Sequence, residues 1–391
     1  MLKKWNLPLT LESMAILVGT VIGGGVFALP YVNIKSGLLA TNVWLFFLCA
    51  LVCLLHLIFG EIILRTKQEF QLPGYAGYYL SNTVKKFLSF ISVFSIAFYL
   101  LIYIILANKF LHVVMGDNLV YLKPYTFVFV WFVLNLFLFF KVSDVSKFNF
   151  VLTFLLMGLM IGLSFLCFNS INPESVKITE RMITQHWYVA YGVILFSLDG
   201  LVAVPMMFKF LKKKNAVKSS YIKSIVFSFI FIFLLFSVFM NSVALLSKNS
   251  TTIDTFAGLV PFLGRNILVF GAYIGLLAVV TSYIVYVNYY KNMLQTDIKF
   301  NKFFSICISM FVPLLFLLLD VNKLDNLMSL AGGVIGGMIL VVLLFIYQKV
   351  RDKEINTFSY RLKLPNWFLF VLGVFCFVGA ISQIILHVIN K

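Results

Sequence analysis

Gly19-Thr20-Val21-Ile22-Gly23-Gly24-Gly25-Val26-Phe27-Ala28-Leu29-Pro30 packs four glycines into seven residues and sets a proline five residues beyond the last of them. The run sits inside an apolar stretch, residues 10–32, that is long enough to cross a bilayer, for which about 20 residues suffice. Glycine and proline at that depth weaken the helical hydrogen-bond ladder. A helix broken there frees N–H and C=O groups that lipid cannot satisfy, so the break must face protein, water or a polar ligand. The half-helix that resumes at Gly24 and Gly25 would present free N–H groups and a positive dipole end, which suits a carboxylate.

A second stretch repeats the pattern. Gly25-Val26-Phe27-Ala28-Leu29-Pro30 aligns with Gly200-Leu201-Val202-Ala203-Val204-Pro205, with Gly, Ala and Pro coincident and every other position apolar. Five spans separate the start of one unit from the start of the next. Five is odd, so the second unit enters the membrane from the opposite side, which is the inverted-repeat plan of many secondary transporters. Close helix packing through small residues is the plainer use of one such glycine. Two aligned copies favour the break.

Composition fixes the solvent around these elements. Of 391 residues, 62% are apolar and 12% charged, against roughly 45–50% and 25% in soluble domains. A soluble globule could not cover that apolar surface. The sequence predicts an all-α integral membrane protein of about 11 transmembrane helices, at residues 10–32, 38–64, 87–115, 124–141, 147–169, 187–209, 220–247, 264–290, 302–319, 326–348 and 366–387. Residues 1–170 form the first five-helix repeat and 187–348 the inverted second, with one additional C-terminal helix at 366–387. With the N-terminus placed in the cytoplasm, 22 of the 31 basic residues fall on that side, among them Lys3, Lys4, Lys141, Lys209, Lys212 and Lys353. The positive-inside rule then supports an odd number of spans with the C-terminus outside; a multi-pass protein of the cell membrane is expected. The net charge of +17 is accounted for by loops facing anionic lipid, and no nucleic-acid role is expected.

The first span is too long for a signal peptide, Glu12 interrupts its approach, and no small-residue cleavage site follows. The five cysteines all fall in predicted helices as packing residues, and the four histidines show no metal-ligand spacing. No nucleophile–base pair suggests an enzyme. No cofactor is expected beyond a coupling ion, sodium or a proton. Oligomeric state stays open.

Asp199, in Phe196-Ser197-Leu198-Asp199-Gly200, lies near the bilayer centre. A carboxylate there costs at least ~2.5–3.5 kcal/mol on insertion scales and needs a cavity, a partner or a proton. It could recognise a substrate ammonium, carry the coupling proton, or pair structurally with a neighbouring helix; the first two are favoured. Thr281-Ser282 could offer hydroxyls to sodium, a hard cation that prefers oxygen, or bond back to their own helix. Glu61, four residues before Arg65, is expected to form an ion pair. His56 reads as a packing residue, and Gly332, Gly333, Gly336 and Gly337 as a helix-packing cluster. Trp5, Trp44, Trp187 and Trp367 fit an interface belt.

Residues 19–30 resemble the first-helix GTxIGxGxxxLP signature of amino-acid permeases of the amino acid–polyamine–organocation superfamily, nearest to its aromatic and hydroxy amino-acid branch. Pro73-Gly74-Tyr75-Ala76-Gly77-Tyr78-Tyr79 is similar to those permeases' cytoplasmic loop, and Phe196 to Gly200 to their helix-six break. The resemblance implies a LeuT-type five-plus-five inverted repeat with discontinuous helices 1 and 6, transporting amino acids, aromatic or other neutral ones, by alternating access. It implies that Gly24 and Gly25 hold the substrate carboxylate, with Gly23 beside them in the substrate-binding stretch, and that the carbonyls of Val21, Phe196 and Asp199 face its ammonium. Ser197 and Gly200 would line the same break, with Phe196 closing over the occupied site. In sodium-coupled relatives the ion would meet carbonyls matching Gly19 and Ile22 and hydroxyls matching Thr281 and Ser282. Proton-coupled relatives often carry a helix-five lysine; here the nearest is Lys147, at the helix end. Many also place an acidic residue soon after the helix-six glycine, where Leu201, Val202 and Ala203 stand. The coupling ion is therefore open. A nutrient receptor on the same fold, of the spore-germination type, is the alternative reading, because fold alone does not fix function.

Overall fold

The computed structural model describes residues 9–116, 123–139, 142–171, 186–214, 217–316, 324–351 and 361–389. Lys3, Lys4, Trp5, Lys141 and Lys353 lie outside them, as does the Lys147 side chain. Every regular element among the described residues is helical.

The first span is broken where the glycines fall. α1 (Leu9–Val21) stops, a 3-10 turn runs over Gly24–Ala28, and α2 (Leu29–Ser36) resumes with Pro30 in its first turn, where its missing N–H costs nothing. The two halves meet at 51°. The sixth span repeats the device: α8 (Ala190–Ser197) ends, Leu201–Ala203 form a 3-10 turn, and α9 (Val204–Lys213) restarts with Pro205 near its start. Between them lie α3 (Leu38–Arg65), the short α4 (Leu72–Tyr79), α5 (Asn82–Met115), α6 (Lys123–Asn135) and α7 (Val142–Asn169). After them come α10 (Val217–Ser247), α11 (Val260–Leu263), α12 (Asn266–Thr296), α13 (Lys302–Leu315), α14 (Leu324–Ser329), α15 (Gly337–Arg351) and α16 (Asn366–Ile389).

Among the described residues, eight helices are long and apolar enough to cross a membrane, and the bent pair α1–α2 makes a ninth. Two shorter apolar helices, Tyr125–Phe139 and Lys302–Leu315, fall where the fourth and ninth spans are predicted. The loop motif around Pro73 is helical as α4, a detail its turn-forming residues hid. Asp297, just past α12, explains it. Its carboxylate accepts N–H bonds from Gln71 (3.0 Å) and Gly74 (2.7 Å) at the start of α4, and the Tyr289 hydroxyl accepts from Leu72 (3.3 Å). The first-turn N–H groups of α4 are thus capped from another element. Burial pushes the Asp297 carboxyl above the usual carboxylate range, against these hydrogen bonds.

The tenth span departs from a plain helix. α14 passes into a π-helical stretch, Leu330–Gly336, before α15. π segments widen the turn and occur often at functional sites. Here the stretch packs against α8 and α16.

Candidate substrate and ion site

Asp199 stands in the gap between α8 and α9. Its Oδ2 accepts the Tyr286 hydroxyl of α12 at 2.8 Å and its Oδ1 the backbone N–H of Leu201 at 3.3 Å. No ion pair to Asp199 forms among the described residues. An aromatic ladder encloses it: Phe196 stacks on Tyr99 (4.7 Å), Tyr99 on Tyr286 (5.1 Å), and Tyr103 meets Tyr286 edge-on (5.6 Å). The buried Tyr99 hydroxyl is directed at the same carboxylate.

A cavity of about 60 Å³ opens beside this carboxylate. At ~10–15 Å³ per water-sized site it has room for several waters or a small chemical group. Its walls come from α3 (Val52, Phe59), α5 (Ser92, Ser95), α12 (Tyr286, Tyr289) and the tenth span (Gly332, Gly336). A larger cavity of about 700 Å³ lies beyond it, lined by Lys67, Gln68, Lys209, Lys212, Asn292 and Thr296 among others, and the two share Val202 and Tyr289 as a partition. At its rim Lys212 donates to Glu69 at 2.7 Å and holds that carboxyl below its usual range.

The opposite end of α12 is closed. Phe27, just past the helix-one break, packs on Phe110, Phe239 and Phe256 with centroids 5.3–6.4 Å apart. Gly271 and Gly275 of α12 receive the Phe256 and Phe110 rings, where a Cβ would collide with them. The Thr255 hydroxyl donates to the Phe27 carbonyl at 2.5 Å, and Lys109 pairs with Asp254 at 3.2 Å. One face is therefore sealed while the other leads to the partition.

The residues expected from sequence divide into two groups. Helix-one glycines are close to helices six and eight: a Cβ on Gly25 would sit 2.7 Å from Phe196 Cδ1 and Ser197 Oγ, and one on Gly23 2.5 Å from Ser282 Oγ. The start of the 3-10 turn leaves the Gly24 and Gly25 N–H groups without a backbone acceptor. Val21, Gly23, Gly24 and Gly25 do not line the small cavity, whereas Asp199 does. Ser197 bonds back to the Val193 carbonyl. At the expected ion position Ser282 donates to the carbonyls of Thr20 (2.9 Å) and Gly19 (3.5 Å), while Thr281 bonds back to Ala278 in its own helix.

The sequence matches the tryptophan/tyrosine permease family over residues 8–383. The chain belongs to that family. No curated protein matches the sequence. Its fold is similar to that of Mhp1, a nucleobase-cation-symport-1 family transporter solved in a closed conformation with bromovinylhydantoin bound (TM-score 0.63, 13% identity, 96% of this chain and 91% of that one). It is also similar to a manganese transporter of Eremococcus coleocola solved with an aromatic bis-isothiourea substituted compound (TM-score 0.66, 14% identity, 98% and 88%). At such identities the likeness speaks to the fold, which is LeuT-type with discontinuous helices 1 and 6. This permease is a multi-pass membrane protein and a secondary transporter, and nothing observed favours the receptor alternative.

Three features of the permease escaped sequence reading. Tyr99 and Tyr103, four apart on α5, share a face with hydroxyls that need partners inside a membrane, and that spacing was a usable signal. Asn149 of α7 is fully buried with neither amide atom partnered among the described residues, its Nδ2 3.1 Å from where a Gly19 Cβ would stand. His56 is packed against Phe229 as expected, with Nδ1 on the Val52 carbonyl at 2.8 Å. Its Nε2 lies 3.2 Å from a Cβ built on Gly200, so it also abuts the helix-six break.

Proposed function

We propose that this permease carries an amino acid, aromatic or another neutral one, across the cell membrane by symport with sodium or a proton. The observation that carries the reading is Asp199: a part-buried carboxylate at a helix break, beside a cavity, with hydroxyl and N–H donors and no cation among the described residues. Such a group is completed by a substrate ammonium or a proton, since an uncompensated buried charge is costly. The Gly24 and Gly25 N–H groups, across the break, suit the substrate carboxylate. The family's name and the aromatic ladder support an aromatic side chain, which stacks favourably on Tyr and Phe rings. Residues 1–170 and 187–348 would act as the two inverted units that rock about the breaks. In the proposed orientation the large cavity, rimmed by Lys67, Lys209 and Lys212, faces the cytoplasm and the phenylalanine seal faces outside.

Uptake by the purified protein in liposomes, over an amino-acid panel with sodium and proton gradients imposed separately, tests the proposal. Gradient-dependent uptake of at least one aromatic or neutral amino acid is expected, and no uptake or counterflow of any amino acid by folded protein would sink it. The ion can be tested at the helix-one break. Ser282 Oγ beside the Gly19 and Thr20 carbonyls makes an oxygen-rich spot that fits sodium. If sodium couples transport there, Ser282→Ala should abolish sodium stimulation and Thr281→Ala should reduce it. Unchanged sodium dependence in both variants, or pure proton dependence in the wild type, would remove the ion from this position.

A further inference from the structure

The four glycines of the tenth span do different jobs. A Cβ on Gly332 would overlap the Phe196 backbone nitrogen. One on Gly333 would press Gln383 Cγ at 2.5 Å, and one on Gly337 would touch Ala380 Cβ and the Cys376 carbonyl at 3.1 Å. These three are packing glycines, holding the π-helical stretch against α8 and α16. Gly336 is different. A Cβ there would meet only the Ala331 carbonyl, at 3.4 Å, an ordinary contact. Yet Gly336 lines the small cavity beside Asp199, on the wall that also carries Ile339 and Leu340 and faces Val52 and Phe59. Nothing in the packing requires glycine at this position. What the missing side chain leaves is cavity space.

We propose that Gly336 sets the size limit of the side chain this permease accepts, by keeping the tenth-span wall of the Asp199 cavity bare. The inference rests on the amino-acid reading above and adds a specificity determinant to it. With the ammonium at Asp199, the side chain is directed into the 60 Å³ cavity, where one added methyl removes a large share of the space. The π-helical turn matters because it turns Gly336 toward the cavity while Gly333 and Gly337 stay on α16. Hydrophobic pockets discriminate single methylenes by roughly 10- to 200-fold, so small changes here should rank substrates by size.

The test compares Gly336→Ala and Gly336→Val with wild type for liposome uptake of alanine, valine, phenylalanine, tyrosine and tryptophan. Gly162→Ala, on an open face of α7 with nothing within 4 Å, controls for a generic glycine effect. Binding of the same amino acids to purified protein, read as a thermal shift, gives a readout independent of flux. The variants should lose the largest accepted amino acid about tenfold or more relative to the smallest, with Val more severe than Ala and Gly162→Ala unchanged. Ile339→Ala, which enlarges the same wall, should shift the limit the other way. A uniform loss across the panel in both uptake and binding, or no change, would overturn the assignment. If the wild type neither binds nor transports any amino acid, the substrate class itself fails and the assignment falls with it; a wild type active on the panel with size-blind variants refutes Gly336 alone.

Discussion

Asp199→Asn should reduce amino-acid uptake at subsaturating substrate by roughly two to three and a half decades. Truncating one member of a buried charge pair costs about 3–5 kcal/mol, and each decade of affinity corresponds to about 1.4 kcal/mol. Asparagine keeps the shape of the side chain, and its carbonyl oxygen can still accept from the Tyr286 hydroxyl or the Leu201 N–H, the two donors that position the carboxylate. The fold should therefore survive, and the melting temperature should stay within a few degrees of wild type. The two roles open to Asp199 then separate. If it binds the substrate ammonium, both gradient-driven accumulation and counterflow collapse, because each requires substrate to bind. If it carries the coupling proton, counterflow persists while accumulation against a pH gradient is lost. Full activity of the variant in both assays would leave Asp199 as a structural carboxylate held by a tyrosine.

Much of the architecture was legible because membrane insertion leaves few options for the backbone. The glycine-proline clusters at 19–30 and 200–205 announce breaks that only a protein-lined interior tolerates, and both breaks fall there. Asp199 was legible for a related reason: a lone carboxylate at mid-membrane depth needs an explanation. The cavity wall was not. Val52, Ser92, Ser95 and Gly336 come from three separate spans, and apolar helices look alike on every face when both lipid and protein neighbours are apolar. The tenth-span glycines carried small-residue spacing that reads as packing, which is right for Gly332, Gly333 and Gly337 and misses Gly336. The π-helical stretch that sets Gly336 apart has no signature in the glycine spacing. Thr281 and Ser282 show the same limit on a finer scale: adjacent hydroxyls have equal standing in sequence, but one turns back to Ala278 and the other crosses to Thr20.

In the proposed alternating-access cycle, the two cavities and the phenylalanine seal would describe one position. α12 links them, since its Gly271 and Gly275 end admits the rings of the seal and its Asn292 and Thr296 end lines the open cavity. Tyr289 on the same helix forms part of the partition and also takes the Leu72 N–H at the start of α4. Movement of α4 relative to α12 would thus disturb the partition directly. Asp297, which caps α4 from the end of α12, holds those two elements together in the state described here.

Glu61→Ala should be among the most destabilising single changes on this face of the protein, on the order of 3–5 kcal/mol. The sequence shows only an i,i+4 partner in Arg65, a pairing worth a few tenths of a kcal/mol on an exposed helix. The structure buries it. Glu61 is fully covered and Arg65 nearly so, with the guanidinium 2.7 Å from Oε1. The other oxygen accepts the Tyr347 hydroxyl of α15 at 3.0 Å and the Leu362 N–H, just before α16, at 2.9 Å. One carboxylate therefore ties α3 to α15 and to the segment leading into the last helix. Alanine would leave a buried guanidinium, a hydroxyl and an N–H short of their acceptor; Arg65 would retain its long contact to the Val350 carbonyl, and Tyr347 its bond to the Leu362 carbonyl. Gln should cost less than Ala, because it still offers an acceptor oxygen to Tyr347 or Leu362 and lacks only the charge for Arg65. Melting of detergent-purified protein checks the order wild type above Gln above Ala. The double variant Glu61→Ala with Arg65→Met should recover part of the loss, since it removes the orphaned charge as well as its partner. Equal melting temperatures for all four proteins would mean that the cluster is relaxed by water and contributes no stability.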